Sequence, residues 1–306
     1  MSIKENTPTE IEQVPVATAP SAPTYSPSPR PTFDGPAAIS YADVTRHIWG
    51  DEEAGEVFDW IYASTDNIHM LVFGLAPGGA FRHSHEFRTV FGADEVLHVL
   101  SGTMILANPE TGEVLRVPAG DSAFFRADTW HHVFAHGDEP LRVLEFLSPP
   151  PSAGTTGAYA RSKEYLAESR YTDDSLLGRI PGALAARKTL TWVRPEDVVY
   201  RLEGGALVGV LGSTEHLTVA SLSLPASKSA PAHSHGGDEI VFVRAGVLSV
   251  RVWHDDRTSV FELNPNDAAY IPQGALHEYR NYGSQTVEAT LGVAPSYLPE
   301  APDLRS

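Results

Sequence analysis

The 306-residue chain carries 22 Lys+Arg against 39 Asp+Glu, a net charge of −17, which leaves no basic footprint for nucleic acid or for an anionic membrane surface. It contains no cysteine, so disulfides, iron–sulfur clusters and thiolate sites are excluded and any metal must be held by nitrogen and oxygen. No apolar run reaches membrane-spanning length and no basic-then-apolar signal region opens the chain, so the cytoplasm is the expected compartment.

Residues 1–36 hold eight prolines with Ser, Thr and Ala between them, a composition that cannot bury enough apolar surface to offset ordering and predicts a disordered tail. After a mixed stretch from Ile39 to Trp60, strands are expected at Ile68–Leu75, Arg82–His85, Glu95–Leu100, Met104–Ala107, Val114–Val117, Ser122–Phe125, His131–Phe134 and Leu141–Leu147. Short strands at regular spacing, joined by Gly/Pro turns such as the one at 108–112, indicate an all-β sandwich or barrel. The Pro- and Gly-rich stretch 149–157 marks a boundary. A short helix over Tyr159–Ser169 and a connector to residue 195, packed across both halves, are expected to follow. A second set of strands then runs from Ala206–Val210 through Leu217–Leu224, Glu239–Val243, Val247–Trp253, Val260–Leu263, Ala268–Ile271 and Glu278–Tyr282 to Val287–Val293. The organisation is therefore a tail at 1–36, a barrel at 37–150, a connector at 151–195, a second barrel at 196–298 and a tail at 299–306.

In the second half, His233 and His235 stand one residue apart and so share one face of a strand. Glu239 opens the next apolar run, and His277 follows the Pro272-Gln273-Gly274 turn. Three imidazoles and one carboxylate from three strands can converge on one point, a donor set suited to a divalent first-row metal. The spacing resembles the cupin signature, G-x5-H-x-H-x3-4-E-x6-G followed by G-x5-P-x-G-x2-H-x3-N. Gly246 follows Glu239 after six residues, and the second motif matches from Pro272 to Asn281, with Asn266 in place of its leading glycine.

The pattern occurs twice. His83, His85, Glu95, Gly102 and His131 repeat it at offsets of 150, 144 and 146 residues for the first histidine, the glutamate and the last histidine. The chain therefore resembles a bicupin, which implies two tandem double-stranded β-helix (jelly-roll) barrels with a site in each mouth and a short helical connector. The resemblance implies metal ligands His233, His235, Glu239 and His277 in the second barrel, and His83, His85, Glu95 and His131 in the first. Strand parity places Glu95 inward with Leu97 and Val99, and Val96 and His98 outward. Asp94 and Glu86 are rival carboxylates that break the spacing to Gly102. Arg126 and Asp128 replace the proline and glycine before His131, and His132 is expected to point the other way.

Nine residues, Glu86 to Asp94, separate His85 from Glu95 where the second copy has three. This insertion should overhang the first mouth, with Phe87 and Phe91 walling an apolar pocket and Arg88 pairing with a substrate carboxylate or enolate, or it only covers a barrel edge. Tyr279 alternates inward after His277 and is the other candidate catalytic residue, expected to hydrogen-bond a bound ligand. His47, His69, His136, His216 and His254 lie outside both motifs and read as ordinary residues.

Bicupins serve several chemistries, and fold alone does not choose among them. The leading expectation is a non-haem dioxygenase acting on a small enolic, phenolic or oxo-acid substrate, with Fe(II) favoured and Mn(II), Ni(II), Cu(II) or Zn(II) as alternatives. The second is a redox-neutral, metal-dependent isomerase, decarboxylase or lyase of a small hydroxy or oxo acid. The third is a non-catalytic binding or storage module. The expected partner is a small-molecule substrate, without nucleic acid or membrane, and the chain is expected as a monomer or homodimer.

Overall fold

The computed structural model describes residues 28–171 and 188–299. Of the tail expected to be disordered over 1–36, residues 1–27 lie outside the described residues, as do residues 172–187 of the connector and residues 300–306 of the last tail; residues 28–36 correct the expectation, since Pro31 O accepts from Ser64 N at 2.8 Å and the Phe33 ring stacks on Tyr270 with centroids 5.1 Å apart. Among the described residues no helix is long and apolar enough to cross a membrane.

The chain opens with β1 (Ala37–Ile39), β2 (Thr45–Trp49), β3 (Val57–Ser64), β4 (His69–Leu75) and β5 (Ala80–Phe81). It continues with β6 (Asp94–Ser101), β7 (Thr103–Ala107), β8 (Val114–Pro118), β9 (Ser122–Phe125), β10 (His132–Ala135) and β11 (Leu141–Ser148). A short helix, α1 (Gly157–Ser162), and β12 (Leu190–Val193) lead into the second half. There follow β13 (Tyr200–Glu203), β14 (Ala206–Ser213), β15 (Thr218–Leu224), β16 (Asp238–Ala245) and β17 (Leu248–His254). The last are β18 (Arg257–Leu263), β19 (Ala268–Ile271), β20 (Leu276–Arg280) and β21 (Val287–Ala294).

Each half is a jelly roll of two sheets. In the first, a seven-stranded sheet in the order β12-β9-β6-β11-β4-β3-β2 faces the four-stranded β5-β10-β7-β8. In the second, β1-β19-β16-β21-β15-β14-β13 faces β18-β17-β20. The outermost strand of each large sheet comes from the segment preceding the other barrel. β1 pairs with β19, Ala38 opposite Ala269, and β12 pairs with β9, Trp192 opposite Ala123. These exchanged strands cover edges that would otherwise present unpaired N–H and C=O groups.

Alternation along the strands builds three apolar layers. Leu97 and Val99 of β6 face the first interior with Leu71, Phe73 and Phe125. Val241 and Val243 of β16 face the second with Val250 and Leu291. The opposite faces do not meet solvent: Val96, Phe146, Tyr62, Ile240 and Phe242 pack together between the barrels. Strands buried on both faces lose the polar/apolar period, which explains the unbroken apolar run at 240–243. A Cβ on Gly292 would lie 2.2 Å from the Phe146 ring, so the absence of a side chain there allows the two large sheets to approach.

Two further expectations are corrected. The helix expected over Tyr159–Ser169 is only the six residues of α1, and Lys163 already has extended backbone. The carbonyls of Arg161 and Lys163 accept from the Arg88 guanidinium at 3.3 and 2.5 Å, which draws them out of a helical ladder. Arg82–His85 is not a strand; only Ala80–Phe81 pairs there, against β10. The sequence also did not disclose β1, β2, β3, β12 and β13.

His98, on the outer face of β6, is buried with Nδ1 2.9 Å from Ser122 Oγ. Burial, reinforced by Arg244, pulls its pKa from 6.5 down to about 3. The imidazole is thus neutral in the folded state, while the unfolded chain binds a proton below pH 6.5. Its contribution to stability is intact above that pH and is lost as pH falls toward about 3, by roughly 1.4 kcal/mol per unit. Urea midpoints measured from pH 7 to pH 5 should fall less steeply in His98→Asn than in the wild type, by about one proton's worth of slope.

Candidate metal centre

In the second barrel the site is assembled by backbone pairing before any side chain matters. His233 and His277 form an isolated bridge, with N–H to O distances of 2.9 and 2.8 Å in the two directions. Gly274, at φ +76°, closes the turn before β20 and donates to His235 O at 2.9 Å. Asn266 takes a left-handed φ of +73°, a conformation asparagine tolerates better than most residues, so the loss of the signature glycine does not disturb the turn.

Each imidazole is oriented by a backbone carbonyl. Nδ1 of His233 lies 2.8 Å from Pro231 O, Nδ1 of His235 2.5 Å from Tyr297 O, and Nδ1 of His277 3.0 Å from Ala275 O. A carbonyl can only accept, so each Nδ1 carries a proton, and in the neutral imidazole, the form that binds a metal, each Nε2 presents a lone pair. The Nε2 atoms of His235 and His277 lie 3.2 and 2.9 Å from Glu239 Oε2. All three atoms are buried without a hydrogen-bond partner. Lone pairs facing a carboxylate oxygen at such distances repel unless a cation stands among them. The four ligand atoms of His233, His235, Glu239 and His277 lie within 4.8 Å of one another, so the residues present fit a divalent ion.

Tyr279, fully buried, donates its hydroxyl to Glu239 Oε1. Burial, followed by the Glu239 charge, raises the phenol well above its ordinary value, which keeps it a donor. The residue expected to touch a bound ligand is therefore committed to the carboxylate: it fixes Oε1 and leaves Oε2 for the centre.

The structure does not gather His83, His85, Glu95 and His131 in the same way, and among the described residues the second-barrel set is the one such group. His83 has both nitrogens engaged, Nε2 2.7 Å from Leu166 O and Nδ1 2.6 Å from His132 Nε2. His132 Nδ1 in turn lies 2.8 Å from Tyr171 Oη. These contacts form one directed chain: tyrosine hydroxyl to His132, His132 to His83, His83 to the Leu166 carbonyl. His85 is exposed and stacks on Tyr165 with centroids 3.9 Å apart. Glu95 remains inside, with His131 Nε2 3.9 Å from its Oε2. Burial, followed by the neighbouring Glu145, raises its pKa well above the ordinary value, and burial raises Glu145 to about 7. The physical reason for the difference is the connector: residues 165–171 fold over the first mouth and pull both histidines of the first motif outward.

Arg88 takes part in the same closure. Besides the two connector carbonyls, its Nε lies 3.4 Å from His85 O and its guanidinium 5.5 Å from the Tyr165 ring centre. It holds the lid of the barrel down rather than standing free as an anion clamp. Beneath it is a cavity of about 640 Å³ walled by Trp49, Leu71, Phe73, Phe81, Phe87 and Phe91. Phe87 and Phe91 thus do wall an apolar pocket. Sequence reasoning turned His132 away from His131 without giving it a partner and passed over Glu145. A signal existed for the second, since Glu145 is a lone acid on the inward lane of an apolar strand, where the second barrel has Leu291.

Two jelly rolls in tandem, one with a three-histidine, one-glutamate cluster in its mouth, define a class of double-barrel metalloproteins. The comparisons agree. The Cupin domain family matches residues 71–147 and 221–293, and the chain belongs to the cupin superfamily as a bicupin. No curated protein matches the sequence. Among solved structures, the chain is similar to oxalate decarboxylase of Lactobacillus farciminis in a formate complex, with 14% identity, TM-score 0.62, and coverage of 88% of this chain and 87% of that one. An oxalate decarboxylase of Bacillus subtilis, described for its Mn(II) centres, overlaps at 15% identity and TM-score 0.58, covering 88% and 78%. AerE from Microcystis aeruginosa overlaps at 12% identity and TM-score 0.55, covering 82% and 97%.

The geometry predicts one divalent ion per chain rather than two. Elemental analysis of metal-loaded protein should give about one equivalent, falling at least about tenfold in affinity for Glu239→Ala and remaining unchanged in His83→Ala.

Proposed function

We propose that this bicupin is a metal-dependent enzyme that transforms a small oxo-, hydroxy- or enolic acid at His233, His235, Glu239 and His277. The observation that carries the reading is the set of buried, partnerless lone pairs at His235 Nε2, His277 Nε2 and Glu239 Oε2. A divalent ion there supplies Lewis acidity toward a chelating carboxylate or enolate. The chain's own contribution is orientation: three carbonyls fix the imidazole tautomers, and Tyr279 keeps the carboxylate from rotating. His233 is only partly buried, so the open side of the centre lies toward it.

Redox-neutral chemistry, with decarboxylation as the first case, is supported by the overlap with oxalate decarboxylases. The dioxygenase reading rests on the same donor set, with Fe(II) as its metal. Net dioxygen uptake set against product formed separates them. A screen of small oxo and dicarboxylic acids should release carbon dioxide with no net dioxygen consumed, and Glu239→Gln should abolish turnover. One dioxygen consumed per product would replace the first reading with the second.

A binding role for the first barrel is favoured by its cavity, in which Ser64 Oγ, His69 Nδ1 and Thr89 Oγ1 are buried without partners. The lining also carries Arg30, Asp59, Arg88, Glu145 and Arg161, so a ring-bearing molecule with a hydroxyl or other polar edge suits it. Binding of 2-naphthol, followed by its fluorescence, should be weakened in Leu71→Trp, which narrows the chamber, and kept in Glu239→Gln. Equal binding in Leu71→Trp and wild type would remove this role.

A further inference from the structure

A second, smaller cavity of about 220 Å³ lies at the junction of the barrels, away from both mouths, with His98, Ser101, Arg142, Phe242, Arg244 and Asn266 in its wall. Arg142 comes from β11 of the first barrel and Arg244 from β16 of the second. Each guanidinium keeps at least one buried N–H without a partner. Nε and Nη2 of Arg142 are buried without a hydrogen-bond partner, as is Nε of Arg244. Arg142 rests over the rings of Tyr41 and Trp60, 5.6 and 5.1 Å from their centres, contacts that offer π-electron density but accept no N–H in the guanidinium plane. Arg244 reaches only outlying acceptors: Glu288 Oε2 at 3.5 Å, Ala289 O at 3.4 Å and His98 Nε2 at 3.4 Å.

A guanidinium stays protonated in proteins, so buried donors on it must be matched or their desolvation goes uncompensated. Here two such groups line one cavity, and among the described residues none of its lining is acidic. His98 cannot balance them, being neutral, and Glu288 touches Arg244 from outside the lining. The cavity is thus lined by two guanidinium groups whose N–H donors are only partly matched, Arg244 through Glu288 at its edge, in a chain of net charge −17. We propose that the barrel junction binds a small oxyanion, a phosphate or carboxylate group bridging Arg142 and Arg244 and so pinning one barrel to the other. The planar forks of the two arginines suit an anion with several oxygens. Burial alone lowers the proton affinity of Arg244, with Glu288 opposing, and a bound anion would act in the same sense as Glu288. The site stands apart from the metal centre, and its occupancy does not depend on the chemistry proposed there.

Equilibrium dialysis of inorganic phosphate against the metal-loaded full chain, at constant ionic strength, tests the proposal. One saturable site per chain is expected in wild type, in Glu239→Gln and in Arg116→Gln, whose arginine is exposed on β8. Affinity should fall at least about tenfold in Arg142→Gln and in Arg244→Gln. Arg142→Lys, which keeps the charge over Tyr41 and Trp60 but loses the fork, should also weaken binding while melting like wild type, which covers the case of a glutamine variant that does not fold. Displacement of phosphate by acetate assigns the site to carboxylates as well; failure of acetate to displace it assigns the site to phosphate-like anions. The proposal is overturned by the absence of saturable binding, by unchanged affinity in the arginine variants, or by loss of the site in Glu239→Gln, which would place the phosphate on the metal.

Discussion

A carboxylate oxygen held within 3.2 Å of two imidazole nitrogens that carry lone pairs is the constraint around which the second barrel is arranged. Water does not reach these atoms, and no hydrogen-bond partner relieves them. A barrel can keep such a cluster because its strands are fixed by ladders of backbone hydrogen bonds that are indifferent to the contents of the mouth. The rest of the site follows from keeping the cluster aimed: carbonyls of Pro231, Ala275 and Tyr297 on the imidazoles, and the Tyr279 hydroxyl on the other carboxylate oxygen. Outer contacts of this kind set ligand tautomer and direction, and their loss typically weakens a metal site even when every ligand remains.

The first barrel shows how little is needed to redirect the same framework. Its histidines occupy the same motif positions, but a segment six residues longer than its counterpart and a connector laid across the mouth offer them other partners. Once Leu166 O and His132 take both nitrogens of His83, and Tyr165 takes the face of His85, the cost of turning these rings inward includes breaking those contacts. The interior then keeps an acid pair and a large apolar chamber. Duplicated barrels can in this way divide labour, one retaining ion-binding geometry and the other enclosed space.

The two halves are joined more closely than a linker would achieve. Each large sheet takes its outermost strand from the segment preceding the other barrel, and the outward faces of β6, β11, β16 and β15 form an apolar layer that neither barrel could leave in water. Truncating a residue such as Phe146 there is expected to cost about 3–5 kcal/mol, comparable to removing a residue from either interior. The junction cavity with its two arginines interrupts that layer with polar groups, as do the buried hydrogen bonds from Thr65 Oγ1 to Asp238 and from Tyr62 Oη to Asn266 O.

Patterns that repeat within a few residues were legible in the chain itself. The two-residue period of His233 and His235, the six residues between each glutamate and its glycine, and the offset of the two copies together carry the cupin resemblance, which implies two jelly rolls and a four-residue donor set in each. Strand parity also placed Leu97 and Val99 inside and Val96 outside. Whether a donor set closes is a different matter, because it depends on what approaches from elsewhere in the chain. The partner that takes His83 Nε2 lies 83 residues away, and those of Arg88 lie 73 and 75 residues away. No local periodicity encodes such contacts, since they arise from a connector whose backbone carbonyls could be contributed by almost any residue type. Local residue spacing thus determined the fold and the second-barrel donors. Tertiary packing decided the fate of the first mouth, the burial of both strand faces and the meeting of Arg142 with Arg244.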